Sequence, residues 1–452
     1  MRIRALSTPE LGNRSYVVDD GTVSVVIDPQ RDLDRLEALL AERSLDCVAV
    51  LETHMHNDYV TGGLELARRS EADYVVNADD PVAFGRDPVR DGDVRTFGSM
   101  TVTVLATPGH TLTHLAYVVD DGSGPAAVFT GGSLLFGSVG RTDLVDAART
   151  EELTRAQFHS ARRLAELPDE AQVFPTHGFG SFCSSGSASG GDASTIGDER
   201  ARNDALTATD EDTFVATLIA NLTAYPAYYA HMGARNLAGP GPIDLSLPEL
   251  ADAERLRTRI DAGEWVVDLR TRTAYAAEHL VGSIGMELGG QFATYLGWLV
   301  PWGSPLTLVG ESAEQIADAQ RQLVRIGIDR PDAAAIGGPR KLARDGDALG
   351  TYPVVAFDDL AALAPADREA VTVLDVRRDD ERAAGAVPGS VHVPIHTLLQ
   401  RLDEVPDRPL WVHCRSGLRA SVAASLLARA GHDVTLVDDD FDHAVGLGLI
   451  HP

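Results

Sequence analysis

The sequence predicts a multidomain α/β chain, and three observations carry that prediction. Its 452 residues, 44% of them hydrophobic, are enough for about three separate cores. At Trp411-Val412-His413-Cys414 an apolar strand ends in a short loop that opens directly onto a helix. One motif occurs twice, spanning 268–282 and then 375–389, with the same 14-residue step from its Asp to its Gly, which marks two copies of one α/β unit.

Composition narrows the function classes. A formal net charge of −28 argues against binding nucleic acid or an anionic membrane surface. The start, Met1-Arg2-Ile3-Arg4-Ala5-Leu6, runs straight into a strand-like pattern without an apolar signal segment, so neither export nor anchoring is expected. Three cysteines, Cys47, Cys183 and Cys414, do not make a disulfide framework, and a reducing cytoplasmic location is expected.

Taken in order, the first domain is expected over residues 1–235. After the apolar run ending at Leu51 comes Thr53-His54-Met55-His56-Asn57-Asp58-Tyr59, then Thr107-Pro108-Gly109-His110-Thr111, then Phe174-Pro175-Thr176-His177-Gly178. Each sits where a strand pattern gives way to a loop, and imidazoles at loop mouths can converge on one metal. Together these segments resemble the metallo-β-lactamase fold, a four-layer αββα sandwich. The hydrolase pattern of that fold is His-x-His-x-Asp-His, whereas this chain has Tyr59 at the last position. The family's bridging Asp, expected after the strand Val128-Phe129-Thr130-Gly131, is Gly132. The resemblance thus leaves His54, His56 and His110 as the expected ligands, with His56 turned inward and Asp58 and His177 nearby, and no dinuclear zinc centre.

Phe129-Thr130-Gly131-Gly132-Ser133-Leu134-Leu135, Gly140-Arg141-Thr142-Asp143-Leu144 and Ser194-Thr195-Ile196-Gly197-Asp198-Glu199-Arg200 look like segments of the persulfide dioxygenases. That resemblance implies a mononuclear Fe(II) held by two His and one Asp, and oxidation of a thiol persulfide by O₂ to sulfite. His54 and His110 match the two His, and the Asp has no counterpart. Zinc or a metal-free site are the alternatives. Arg141 is expected to anchor the substrate's carboxylate. Cys183, in the Gly/Ser-rich run from Gly178 to Gly186, is expected to accept sulfur on a mobile loop or to belong to a lid.

A linker is expected at Gly233 to Pro242 and a second break near Gly346 to Pro353, from their Gly and Pro content. Between and beyond them lie the two repeat copies, 243–346 and 352–452. In the second, an apolar strand delivers Cys414 into a short loop before a helix expected at 419–430. The helix N-terminus, the loop amides, Arg415 and Arg419 favour a thiolate there. Sulfur transfer and phosphoester hydrolysis share this layout. The loop Cys414 to Arg419, with Ser416, Gly417 and Leu418 lining it, resembles the rhodanese family, as do Asp375-Val376-Arg377 and Pro388-Gly389-Ser390. In the first copy Gly310 falls at the cysteine position and Gln315 at the arginine position, so it resembles a pseudo-rhodanese domain. Its aromatic insert, Phe292, Tyr295, Trp298 and Trp302, either covers another domain's surface or fills its own core.

The whole chain resembles fusions of a persulfide dioxygenase, a pseudo-rhodanese and an active rhodanese domain. The expected activity is oxidation of low-molecular-weight persulfides with sulfane-sulfur transfer through Cys414. A sulfur carrier with a silent first domain and a mononuclear zinc hydrolase are the alternatives. Expected partners are small thiols and persulfides, such as glutathione persulfide or thiosulfate, and further copies of the chain.

Overall fold

In the computed structural model, which describes residues 1–185 and 191–450, the amino-terminal strands alternate their side chains between two layers of packing. The first sheet is β1 (Arg2–Thr8), β2 (Asn13–Asp19), β3 (Val23–Ile27), β4 (Asp46–Leu51), β5 (Asp73–Asn77) and β6 (Asp87–Val89), paired in that order. The second, β7 (Val94–Phe97), β8 (Met100–Ala106), β9 (Leu115–Asp120), β10 (Ala127–Gly131) and β11 (Gln172–Pro175), runs in reverse order from β11 to β7.

Val18, Val25, Ile27, Ala49 and Leu51 pack against Val102, Val104, Tyr117 and Phe129 between the sheets. The alternate residues Val17, Val26 and Val50 face outward, under helices Asp34–Arg43 and Gly63–Ser70. Helices Thr150–Leu164 and Glu211–Ala220 cover the second sheet through Phe158, Leu164, Phe214 and Leu218. The period-2 pattern thus produces the αββα sandwich. β8, β10 and β11 run the same way, so the loops after them leave one end of their sheet.

The carboxy-terminal half shows its repeat in strand order. β12 (Trp265–Asp268), β13 (His279–Leu280), β14 (Ile284–Gly285), β15 (Leu306–Gly310), β16 (Ala333–Ile336) and β17 (Leu349–Gly350) form the first copy. Its parallel sheet has the order β14-β12-β15-β16, and β13 pairs with β17. β18 (Val354–Val355), β19 (Thr372–Asp375), β20 (Val391–His392), β21 (Leu410–His413) and β22 (Val434–Val437) form a second parallel sheet, ordered β18-β22-β21-β19-β20. β12, β14, β15 and β16 therefore occupy the places of β19, β20, β21 and β22. The repeated motif has one job in both copies: Arg270 clamps Asp268 at 2.6 Å and Arg377 clamps Asp375 at 2.8 Å, fixing the strand end. Gly282 and Gly389 then turn the chain with φ of 89° and 74°, which glycine adopts without strain.

The chain divides into two compact units, Met1–Asp244 with Leu323–Asp329, and Leu245–Gln322 with Arg330–Pro452. The second unit holds the second repeat copy and the first copy apart from Leu323–Asp329, and within it the helix Phe292–Leu299 stacks Trp298 on His396 of the second copy, 5.1 Å between rings. The expected linker Gly233 to Pro242 is corrected: residues up to Ala238 belong to the helix Tyr229–Ala238, whose Asn236 is fully buried. Gly186 and His451 lie outside the described residues. Among the described residues no helix is long and apolar enough to cross a membrane.

Candidate metal centre and sulfur loop

Five histidines gather in the first unit, on the loops that follow β4, β8 and β11. His54, His56, His110, His114 and His177 are all buried, and hydrogen bonds assign their tautomers. Thr53 donates its hydroxyl to Asp28 (2.7 Å), so it accepts from His54 Nδ1 at 2.9 Å. His110 Nδ1 donates to the Arg141 carbonyl at 2.7 Å. Asn13 donates its amide to Asp58 (2.8 Å), leaving its oxygen to accept from His177 Nδ1 at 3.0 Å. The rings of His54, His110 and His177 thus spend their protons outward and turn Nε2 lone pairs toward one another. The Nε2 atoms of His54 and His177 stand 3.3 Å apart, and His110 Nε2 is buried without a hydrogen-bond partner. Burial, and then His177, pushes His110 down to about 3; burial, and then His56, pushes His177 down to about 3. Facing lone pairs on neutral imidazoles repel unless a cation lies between them.

The grouping differs from the expected one. His54, His110 and His177 have ligand atoms within 4.8 Å of one another, and His56, Asp58 and His177 form an overlapping set. His56 turns Nε2 toward Tyr59 Oη (2.8 Å), Asp28 (3.3 Å) and Glu52 (3.3 Å). Burial opposes a charge on that ring, but the Asp28 and Glu52 carboxylates together raise it to about 10. Asp58 Oδ1 is buried and unpartnered, a further candidate donor, and His56 Nδ1, also buried and unpartnered, becomes one only on giving up its proton.

Gly132 has a spatial reason. A Cβ there would stand 2.3 Å from His110 Cδ2, so the His110 ring fills the room an Asp side chain would need. Gly140 permits the same ring position, a Cβ there falling 2.7 Å from His110 Nδ1. The Gly132 amide donates to His114 Nε2 at 2.9 Å, and His114 Nδ1 donates to Thr107.

Sequence reasoning missed several groups. Asp28, just past β3, has φ of 49°, a left-handed value uncommon for a residue with a side chain. Its carboxylate accepts from the Thr53 amide and from the Thr53 and Thr176 hydroxyls. Asn236 accepts from Thr61 N (3.0 Å) and donates to the His56 and Tyr59 carbonyls (2.8 and 2.9 Å). Polar residues directly after apolar strands signalled Asp28 and Glu52, but nothing local signalled Asn236.

Two expectations in this unit are corrected. Arg141 is buried and engaged, with two bonds to Asp143 at 2.7 and 2.8 Å and further bonds to the Phe182 and Thr223 carbonyls; four of its five N–H groups brace loops, so it is not a free arm reaching for a substrate carboxylate. Cys183 is fully buried, and burial, then Asp58, holds its thiol well above the usual range. It is therefore a packed thiol and not a mobile, reactive one.

In the second unit β21 ends at His413 and the helix runs Leu418–Arg429. Cys414 is buried in the loop between them, and Gly417 makes the turn with φ of 85°. Arg419 is buried and gripped by Glu381 at 2.5 and 2.7 Å. Arg415 is corrected: it is exposed and pairs outward with Asp442 at 2.6 Å. Ser416 is exposed and Leu418 half-buried. Tyr295 of the first copy is buried within the electrostatic reach of Arg419 and Cys414. In the first copy Gln315 sits at the equivalent loop, accepting from Glu311 N and donating to the Leu269 carbonyl, and Gly310 stands where the second copy has Cys414.

Residues 8–177 match the metallo-beta-lactamase superfamily, and residues 358–444 match the rhodanese-like domain. A hydroxyacylglutathione hydrolase of a Synechococcus species is 36% identical over 164 residues, covering 35% of this chain and 62% of that protein. One of Photobacterium profundum is 40% identical over 156 residues, 34% and 56% of the two chains. The chain thus spans about three fifths of the length of these relatives. A solved metallo-beta-lactamase from Staphylococcus aureus subsp. aureus COL superposes with a TM-score of 0.66 at 25% identity, over 74% of this chain and 98% of that one. A metallo-beta-lactamase domain is thus followed by a rhodanese-like domain, and the histidine and aspartate groups of the first imply a divalent metal.

Proposed function

We propose that the chain oxidises a low-molecular-weight thiol persulfide at the histidine cluster, and that Cys414 takes up and hands on sulfane sulfur. The observation that carries this reading is the presence, in one chain, of converging imidazole nitrogens and a buried cysteine in the short loop before a helix N-terminus. In the overall reaction a persulfide, O₂ and water give the thiol, sulfite and two protons.

The residues fit a divalent metal, since His110 Nε2, His56 Nδ1 and Asp58 Oδ1 are buried without partners. His54, His110 and His177 would hold it, with Asp58 available as the carboxylate of a two-His set. Fe(II) bound there supplies redox chemistry toward O₂. Asp28, through Thr53, holds the His54 tautomer, and Asn13 aligns His177 with Asp58. At the other site the Cys414 thiolate attacks the outer sulfur of thiosulfate or a persulfide. A new S–S bond forms, the donor's S–S bond breaks, and its electron pair leaves with sulfite or thiolate. The N-terminus of helix Leu418–Arg429 favours the anionic product.

The second reading is thioester hydrolysis, which the relatives' name favours. Against it stand Tyr59, bonded to His56, and Gly132, its space filled by His110; they occupy the positions at which the hydrolase pattern completes two metals. Metal content and turnover separate the readings. The persulfide reading expects iron in the purified chain and no hydrolysis of a glutathione thioester; zinc with thioester turnover would replace it with the hydrolase.

A further inference from the structure

We propose that the cysteine-less copy is a working part of the sulfur site, with Arg272 as its positioning residue; this rests on Cys414 as the sulfur carrier. Asp438, just past β22, lies against the turn of the sulfur loop: a Cβ on Gly417 would stand 1.9 Å from its Oδ1. A carboxylate is thus packed on the residue that sets the loop's curvature. A sulfur loop must receive anions, and a bare carboxylate packed against its turn repels them. Arg272 of the first copy removes the conflict. Its Nε donates to Asp438 Oδ1 at 2.7 Å, and its Nη1 to Glu287 at 2.9 Å. Arg272 and Asp438 side chains are only 29% and 14% exposed, so the pair is shielded from solvent screening.

The two copies also meet where Ser425 bonds to the Gly285 carbonyl, where Arg429 bonds to the Gly263 carbonyl at 2.7 Å and where Trp298 stacks on His396. Arg272 differs from these in touching the residue that touches the loop. It holds Asp438 in place and offsets one of the two negative charges of Asp438 and Glu287. Losing Arg272 should therefore weaken anion binding at Cys414 in proportion to the anion's charge, while losing the Asp438 charge as well should restore it.

The experiment uses the full chain and follows iodoacetamide modification of Cys414 by mass spectrometry, with sulfate as the protecting anion. In Arg272→Gln the half-protecting sulfate concentration should rise about 5-fold, and in Arg272→Gln/Asp438→Asn it should return to within 2-fold of the parent. Arg272→Lys should stay close to the parent. In turnover, KM for dianionic thiosulfate should rise more than KM for monoanionic benzenethiosulfonate, with kcat little changed. An unchanged protecting concentration, no recovery in the double variant, or no sulfate protection of the parent chain would each overturn the proposal. Anion protection needs no turnover, so a parent chain that is protected yet transfers no sulfur would instead overturn the sulfurtransferase reading.

Discussion

Gly132 and His413 show how single side chains decide what each site can do. The His110 ring occupies the room beside Gly132 and is pinned by the Arg141 carbonyl. Gly132→Asp, although it installs the family's carboxylate, is expected to displace that ring, destabilise the fold by about 1–3 kcal/mol and weaken metal uptake. Thermal melting and metal titration check this, and a gain in metal affinity would show that His110 yields. His413 is fully buried and stacked on Phe441, with ring centroids 5.7 Å apart. Burial is the main cause that lowers it to about 4. The unfolded chain protonates this His near pH 6.5 and the folded chain does not. Its contribution is therefore complete above pH 6.5 and lost as pH falls toward 4, amounting to about 2 kcal/mol between pH 8 and pH 5. All four tryptophans, Trp265, Trp298, Trp302 and Trp411, lie in the second unit, so denaturant unfolding followed by their fluorescence reads it. His413→Gln should flatten that pH slope by about this amount, and an unchanged slope would place the cost elsewhere.

At the scale of elements, the loop after β4 is held by the helix Tyr229–Ala238 far along the chain. Asn236→Ala removes three hydrogen bonds to the Thr61 amide and the His56 and Tyr59 carbonyls. A 10- to 100-fold loss of metal affinity, roughly the cost of removing an outer-shell partner, is expected by titration; unchanged affinity would mean the loop holds its shape unaided. This helix also shows where the sequence was illegible. Gly233, Gly239 and Pro240 looked like a linker because local turn chemistry is all that a window of residues displays, and Asn236 acquires its role only through partners about 180 positions away. The histidine loops and the repeated Asp-x-Arg clamp were legible, because strand alternation and motif spacing are local. Arg141 and Cys183 misled for a related reason: both were judged by their flanking residues, and tertiary packing buried them.

Over the whole molecule, the chain carries a site that gathers imidazole nitrogens and a cysteine held just before a helix N-terminus. The first is made by loops after β4, β8 and β11, the second by a strand, a glycine turn and a helix. The copy without a cysteine turns Trp298, Tyr295 and Arg272 toward the copy that carries Cys414. The central claim is that persulfide oxidation takes place at the histidine cluster. Its most direct test is oxygen uptake by the full chain, reconstituted anaerobically with Fe(II), on adding glutathione persulfide. The account predicts one sulfite formed per O₂ consumed, uptake abolished in His54→Ala and retained in Cys414→Ser, which in turn loses sulfur transfer from thiosulfate. Uptake in the parent chain no greater than in His54→Ala would contradict it.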